Sequence, residues 1–260
     1  MREPREVDWS NLLVLARYLL HKPDLARVTT LNSESKTTGV LTLDGFTDSD
    51  WGGCADTRRS SDCTIINVGG SVVIAHPQTQ PGTPATSSGE AETRALSRGA
   101  RDIMFIKQLA EEDFNMKLGV PRLWTDASTA LQTAKRLGAG SRMRHIEVAA
   151  LYVQELVQQQ ALKVGKVAGN VNPANCLTKH LDATLKGQCL VDLSMVDMST
   201  SDLRMLLNDA KQIELVASLC NQGRKLMPWK PNFAVAVNAL QICAAHMCHS
   251  QPAILAYAQA

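Results

Sequence analysis

Apolar residues recur at helical spacing from residue 8 to 22, at Trp9, Leu12, Leu13, Leu15, Ala16, Leu19 and Leu20, and predict a first helix. Residues 23–38 are polar and carry Pro23 and the run Ser33–Thr38, which reads as a linker. Three strand-like runs follow, Val40–Thr47, Thr64–Val68 and Ser71–Ala75. Gly69 and Gly70 sit between the last two as a two-residue hairpin turn. Pro77 to Pro84 reads as a loop. Ser87-Ser-Gly-Glu90 then opens a long helix with Ala91, Ala95, Ile103, Ile106, Leu109 and Ala110 on its buried face.

The second half alternates strand and helix. A short strand is expected over Arg122–Thr125, a helix over Ala127–Leu137, another helix over 145–159, a strand over Leu162–Val167 and a short helix from Pro173. The order is strands first, then strands joined through helices. It predicts a mixed α/β sheet of antiparallel leading strands and later parallel ones, with helices packed on it. Beyond Leu181 the pattern weakens. Ser199–Leu219 reads as an amphipathic helix, and the Ala-rich residues 221–260 as a weakly ordered tail.

Composition sets outer bounds. The chain has 260 residues, and 45% of them are hydrophobic, which excludes a disordered chain. Lys and Arg number 27 against 25 Asp and Glu, so bulk charge gives no sign of polyanion binding. Any such binding must come from local patches. Seven cysteines without a paired motif suit unpaired thiols and an intracellular setting. No apolar run follows Met1, so no secretory leader is expected, and no apolar stretch reaches membrane-spanning length.

Three acidic residues stand where a metal site can be built. Asp48 ends the first strand, Glu90 lies in the first turn of the long helix, and Asp126 ends the strand before the next helix. Carboxylates at strand ends and a helix start can converge at one sheet edge, and hard cations need such oxygen ligands. Each residue also has a plain structural use. Asp48 can begin a turn with Asp50, Glu90 completes a capping box from Ser87, and Asp126 can cap the helix at Ala127. Asp50 shares a strand face with Asp48, while Glu92 lies two helical positions beyond Glu90 and points elsewhere.

The segments Gly45-Phe-Thr-Asp-Ser-Asp-Trp-Gly-Gly53, Ser87-Ser-Gly-Glu-Ala-Glu92, Leu123-Trp-Thr-Asp126, Arg144-His-Ile-Glu147 and Asn172-Pro-Ala-Asn-Cys-Leu-Thr-Lys179 resemble the ribonuclease H domain of copia-type retrotransposon Pol polyproteins. The resemblance implies a ribonuclease H-like fold and a metal-dependent nuclease cleaving the RNA strand of RNA/DNA hybrids, with two Mg²⁺ or Mn²⁺ ions as cofactor. It places Asp48, Glu90 and Asp126 on three catalytic, metal-binding carboxylates and Asn175 on the fourth. It also implies that residues 1–38 resemble the end of a reverse transcriptase and that 39–181 are the ribonuclease H-like domain; the weakening pattern leaves 182–260 as a partly helical extension.

Because the fourth carboxylate is an asparagine here, two further readings stay open. One is an inactive nucleic-acid-binding module; the other is a decayed remnant of the retroelement. Lys135, Arg136, Arg142, Arg144 and His145 are candidate phosphate contacts, since a hybrid is held by its backbone. They can equally form a solvated loop.

Overall fold

The computed structural model describes residues 5–21, 25–29, 31–136, 147–179 and 181–197. In chain order the elements are α1 (Glu6–His21), β1 (Leu25–Arg27), α2 (Ser33–Thr38), β2 (Leu43–Asp50), β3 (Ser61–Val68), β4 (Ser71–Thr79), α3 (Ser88–Glu112), β5 (Arg122–Thr125), α4 (Ser128–Lys135), α5 (Glu147–Gln158), β6 (Lys163–Lys166), α6 (Ala183–Asp192) and β7 (Met195–Asp197). Two 3-10 turns, Gly169–Val171 and Pro173–Leu177, lie between β6 and α6.

The chain divides into two compact units. One contains α1 and the antiparallel pair β1–β7. No side chain of α1 is buried, and Trp9 and Leu20 on it are exposed. The β1–β7 pair has no signal in the sequence, because three-residue strands give no measurable period.

The other unit holds the five-stranded sheet, in the order β4-β3-β2-β5-β6. β2, β3 and β4 pair antiparallel in turn, β5 pairs parallel with β2, and β6 pairs parallel with β5. This is the mixed sheet of antiparallel leading strands and later parallel ones expected from the sequence. Gly69 and Gly70 turn the β3–β4 hairpin with φ of 60° and 96°, both in the region that type I′ turns require and side chains disfavour. Strand β4 runs on through Pro77 to Thr79, where a loop was expected. Pro77 is tolerated because β4 is an edge strand, so its missing N–H breaks no inner ladder.

Helix α3 packs over β2 and β3 through the core formed by Leu43, Ile66, Leu96, Ile103, Ile106 and Leu123. Gly99 lets the helix approach β2: a Cβ there would overlap the Thr47 side chain. Arg98 fixes the helix further by ion pairing with buried Asp62 of β3 and donating to the His76 carbonyl of β4. A smaller cluster of Cys63, Ile65, Val72 and Ala174 brings the second 3-10 turn against the sheet.

Residues 33–38 are helix α2, which corrects the linker reading of this stretch. Asn32 caps its start by accepting from the Ser35 N–H at 2.9 Å, and Gly39 ends it in the left-handed region at φ 69°. Glu34 on α2 pairs with Arg122 of β5 at 3.1 Å, so a polar helix without an apolar stripe is still held to the sheet. Cys176 and Cys189, expected as unpaired thiols, form a disulfide, while Cys54 and Cys63 are free. No helix of the described residues is long and apolar enough to cross a membrane. The expected helix over Ser199–Leu219 and the tail over 221–260 lie outside the described residues.

Candidate metal centre

The site forms at the C-terminal ends of two parallel neighbours. Strand β2 lies parallel to β5 with Thr47 opposite Thr125, so Asp48 and Asp126 leave adjacent strands at the same level. On its other side β2 pairs antiparallel with β3. The chain runs outward from β2 to β4 and then returns to β5 on the other side of β2, and the carboxyl ends flanking such a reversal of strand order are where open α/β sheets place ligands. The first turns of α3 bring a third carboxylate to the same point. One oxygen each of Asp48, Glu92 and Asp126 lie within 4.8 Å of one another.

The structure corrects the choice of glutamate: Glu92 joins the two aspartates, and Glu90 does not. Glu90 is buried and engaged elsewhere. Its Oε2 accepts from the Thr86 N–H at 2.8 Å and the Thr86 hydroxyl at 2.7 Å, and its Oε1 pairs with Arg94 one turn on. The plain capping role is therefore the one Glu90 fills, with its own N–H donating to Ser87 Oγ. Residues two apart on a helix differ by roughly 200° in direction, so both glutamates cannot face the sheet edge. Arg94 at four residues' spacing from Glu90 was the signal in the sequence that gave Glu90 another partner.

Asp126 does not cap α4. The N-cap residue is Ala127, which has no side-chain cap, and its N–H donates to Thr125 Oγ1 at 3.1 Å. Asp50, the competitor of Asp48, lies over Gly53 in the turn after β2 and is outside the cluster.

The three acids meet at an electrostatic cost. Burial, followed by the charges of Asp48 and Asp126, pushes the Glu92 carboxyl up to about 8 against the pull of Lys179. Burial and Asp48 also raise Asp126. Glu92 Oε2 is buried without a hydrogen-bond partner. A carboxyl oxygen left without a partner among like charges is satisfied either by a proton or by a cation. The donor set, oxygen only and carboxylate-rich, fits a hard divalent ion such as Mg²⁺ or Mn²⁺.

The second 3-10 turn closes the site. Asn172 ties it to the end of β2 by donating to the Thr47 carbonyl at 3.0 Å. Thr178 Oγ1 then donates to Asp48 Oδ2, and Lys179 Nζ reaches Asp48 Oδ1 at 3.3 Å. Asn175 lies beside them. Its Oδ1 accepts from Lys179 Nζ at 2.7 Å and its Nδ2 donates to the Gly169 carbonyl. Thr178 and Lys179 close the last motif of the sequence but were assigned no part in the site, since only the folded path brings them to Asp48. Of the basic candidates, Lys135 is exposed at the end of α4 and Arg136 is half-buried just after it. Arg142, Arg144 and His145 lie outside the described residues.

No family model matches the chain. A stretch of 141 residues, 53% of the chain, is 30% identical to the retrovirus-related Pol polyprotein from transposon TNT 1-94 of Nicotiana tabacum and covers 10% of it. A stretch of 181 residues, 70% of the chain, is 28% identical to the retrovirus-related Pol polyprotein from transposon RE2 of Arabidopsis thaliana and covers 12% of it. Among solved structures, the N-terminal RNase H domain of a Mycobacterium tuberculosis protein, fused to maltose binding protein, aligns with 53% of this chain and 91% of its own. The TM-score is 0.39 and the identity 14%. The chain spans about a tenth of the length of these Pol polyproteins. Its homologues are copia-type, retrovirus-related Pol polyproteins of transposons.

Proposed function

We propose that the sheet-bearing unit is a retroelement ribonuclease H that hydrolyses the RNA strand of RNA/DNA hybrids with a divalent cation. The observation that carries this reading is the convergence of Asp48, Glu92 and Asp126 within 4.8 Å, with one Glu92 oxygen left unpaired. A cation bound there would supply charge to a scissile phosphodiester and lower the pKa of a water nucleophile. Asp48 would hold it from β2, Asp126 from β5 and Glu92 from α3. Thr178 and Lys179 orient the Asp48 carboxylate through one hydrogen bond to each oxygen. Lys135 and Arg136, with Arg142, Arg144 and His145, would contact the hybrid backbone. Residues 39–181 would be the nuclease domain and 1–38 the end of a reverse transcriptase domain.

The presence of Asn175 rather than a carboxylate favours a second reading, a hybrid-binding module without turnover. A labelled RNA/DNA hybrid incubated with the full chain and Mg²⁺ or Mn²⁺ separates them. Cleavage that is lost in Asp126→Asn, with hybrid binding kept, supports the nuclease. Binding without cleavage in either metal supports the module. Cleavage unchanged in Asp126→Asn overturns the site.

A further inference from the structure

Lys179 extends the acidic site in a way the three carboxylates alone do not suggest. We infer that its ammonium stands in the place of a second cation, so that the site takes one divalent ion rather than two. The inference rests on the metal-dependent reading above.

Two acceptors fix the ammonium. Nζ lies 3.3 Å from Asp48 Oδ1 and 2.7 Å from Asn175 Oδ1. Lysine carries a compact point charge on a flexible stem, and here two protein oxygens hold that charge. Asn175 is committed as well. Its carbonyl oxygen accepts from Lys179 and its amide donates to Gly169, so its hydrogen-bonding groups already have protein partners. A divalent ion on that side would displace Lys179 and gain only a neutral ligand. Mg²⁺ gives up its waters reluctantly for such a ligand.

Charge points the same way. Asp48, Glu92 and Asp126 ionised carry three negative charges, and Lys179 offsets one of them. One divalent ion then neutralises the remaining two. A second would leave an excess of positive charge beside the buried Asp48. Lys179 thus fixes Asp48 beside a single ion, which would lie on the side of Glu92 and Asp126.

The test counts ions on the full chain by Mn²⁺ titration, with free Mn²⁺ read by electron paramagnetic resonance. The parent protein should bind one ion. Lys179→Arg, which keeps the charge, should also bind one. Lys179→Met should bind its first ion tighter by roughly tenfold or more, the effect of removing one nearby positive charge. Asn175→Asp combined with Lys179→Met should take up a second ion. Circular dichroism confirms the fold of each variant, and the count on the parent decides even if a variant does not fold. Two ions of similar affinity on the parent overturn the inference and leave the metal-dependent reading intact. Unchanged affinity in a folded Lys179→Met also overturns it. No ion bound by the folded parent refutes the metal-dependent reading itself.

Discussion

Glu90 and Glu92 leave the same turn of α3 for opposite purposes: Glu90 closes the helix start with Thr86 and Arg94, and Glu92 faces Asp48 and Asp126. One glutamate is satisfied by protein partners and the other is held among like charges. Substitutions at the two positions should therefore change stability in opposite directions. At pH 8 the ion-free Glu92→Gln variant should be more stable than the parent by about 2 kcal/mol, because a buried carboxyl shifted up to about 8 costs the fold more as pH rises from ~4.5. Its melting temperature should no longer rise with added Mn²⁺. Glu90→Gln should instead lose about 1 kcal/mol by breaking the Arg94 pair, and keep its Mn²⁺ response. Thermal melts with and without Mn²⁺ check both.

His76 on β4 should make the protein acid-sensitive. Burial, then the charge of Arg98, lowers its pKa to about 4. An unfolded histidine titrates near ~6.5. The folded state thus binds fewer protons between these values, so stability is full above ~6.5 and falls as pH drops toward 4. His76 is only half-buried, so solvent screening reduces the loss to about 1 kcal/mol. Urea unfolding at pH 7 and pH 4.5 should show a smaller acid loss in His76→Gln than in the parent. Equal losses would remove His76 as the cause.

Gly99→Ala should separate α3 from β2. The added Cβ meets the Thr47 side chain one residue before Asp48. Overpacking at a close approach costs typically about 1–3 kcal/mol. Since Glu92 rides on the same helix, Mn²⁺ affinity should fall together with stability. A variant with unchanged melting temperature would show that the helix does not need this approach.

The disulfide between Cys176 and Cys189 closes a loop of sequence separation 13, near the Asn175–Lys179 segment. Loop-closure entropy of that size is worth about 3 kcal/mol in the chain-entropy view. Reduction, or Cys189→Ser, should lower the denaturation midpoint accordingly. Thiol labelling should count two more reactive cysteines after reduction.

If the basic residues grip a hybrid, Lys135→Ala with Arg142→Ala should flatten the salt dependence of hybrid binding. The log–log slope should fall by roughly one unit for each phosphate that these side chains neutralise. Filter binding across salt concentrations reads this. An unchanged slope assigns both residues to solvent.

Much of the sheet was readable because its signals are local. The Gly69-Gly70 turn, the apolar runs and the capping box at Ser87 each specify structure within a few residues. Helix α2 was missed because its hold is not an apolar stripe but caps at Asn32 and Gly39 and an ion pair to Arg122, which is 88 residues away from Glu34. The end of β4 was missed because Pro77 stops an inner strand but not an outer one, and position in a sheet is a long-range property. In the site, Asp48 and Asp126 were legible as strand ends. Glu92 was not, because helix phase was judged without the competing partners of Glu90. Lys179 meets Asp48 across 131 residues, and no spacing rule reports such a meeting.

Pro77 has a consequence for the behaviour of the unit in solution. Open sheets expose rows of unpaired donors and acceptors that can recruit another strand. Here one border, β4, is interrupted by a residue with no N–H, and the other, β6, is only four residues long and begins and ends with lysine, Lys163 and Lys166. A short border with repelling charges and a border with a missing donor are both poor templates for strand addition. The sheet is thereby guarded on both sides against edge-to-edge aggregation, and replacing Pro77 with a strand-forming residue such as valine would open the longer border to it.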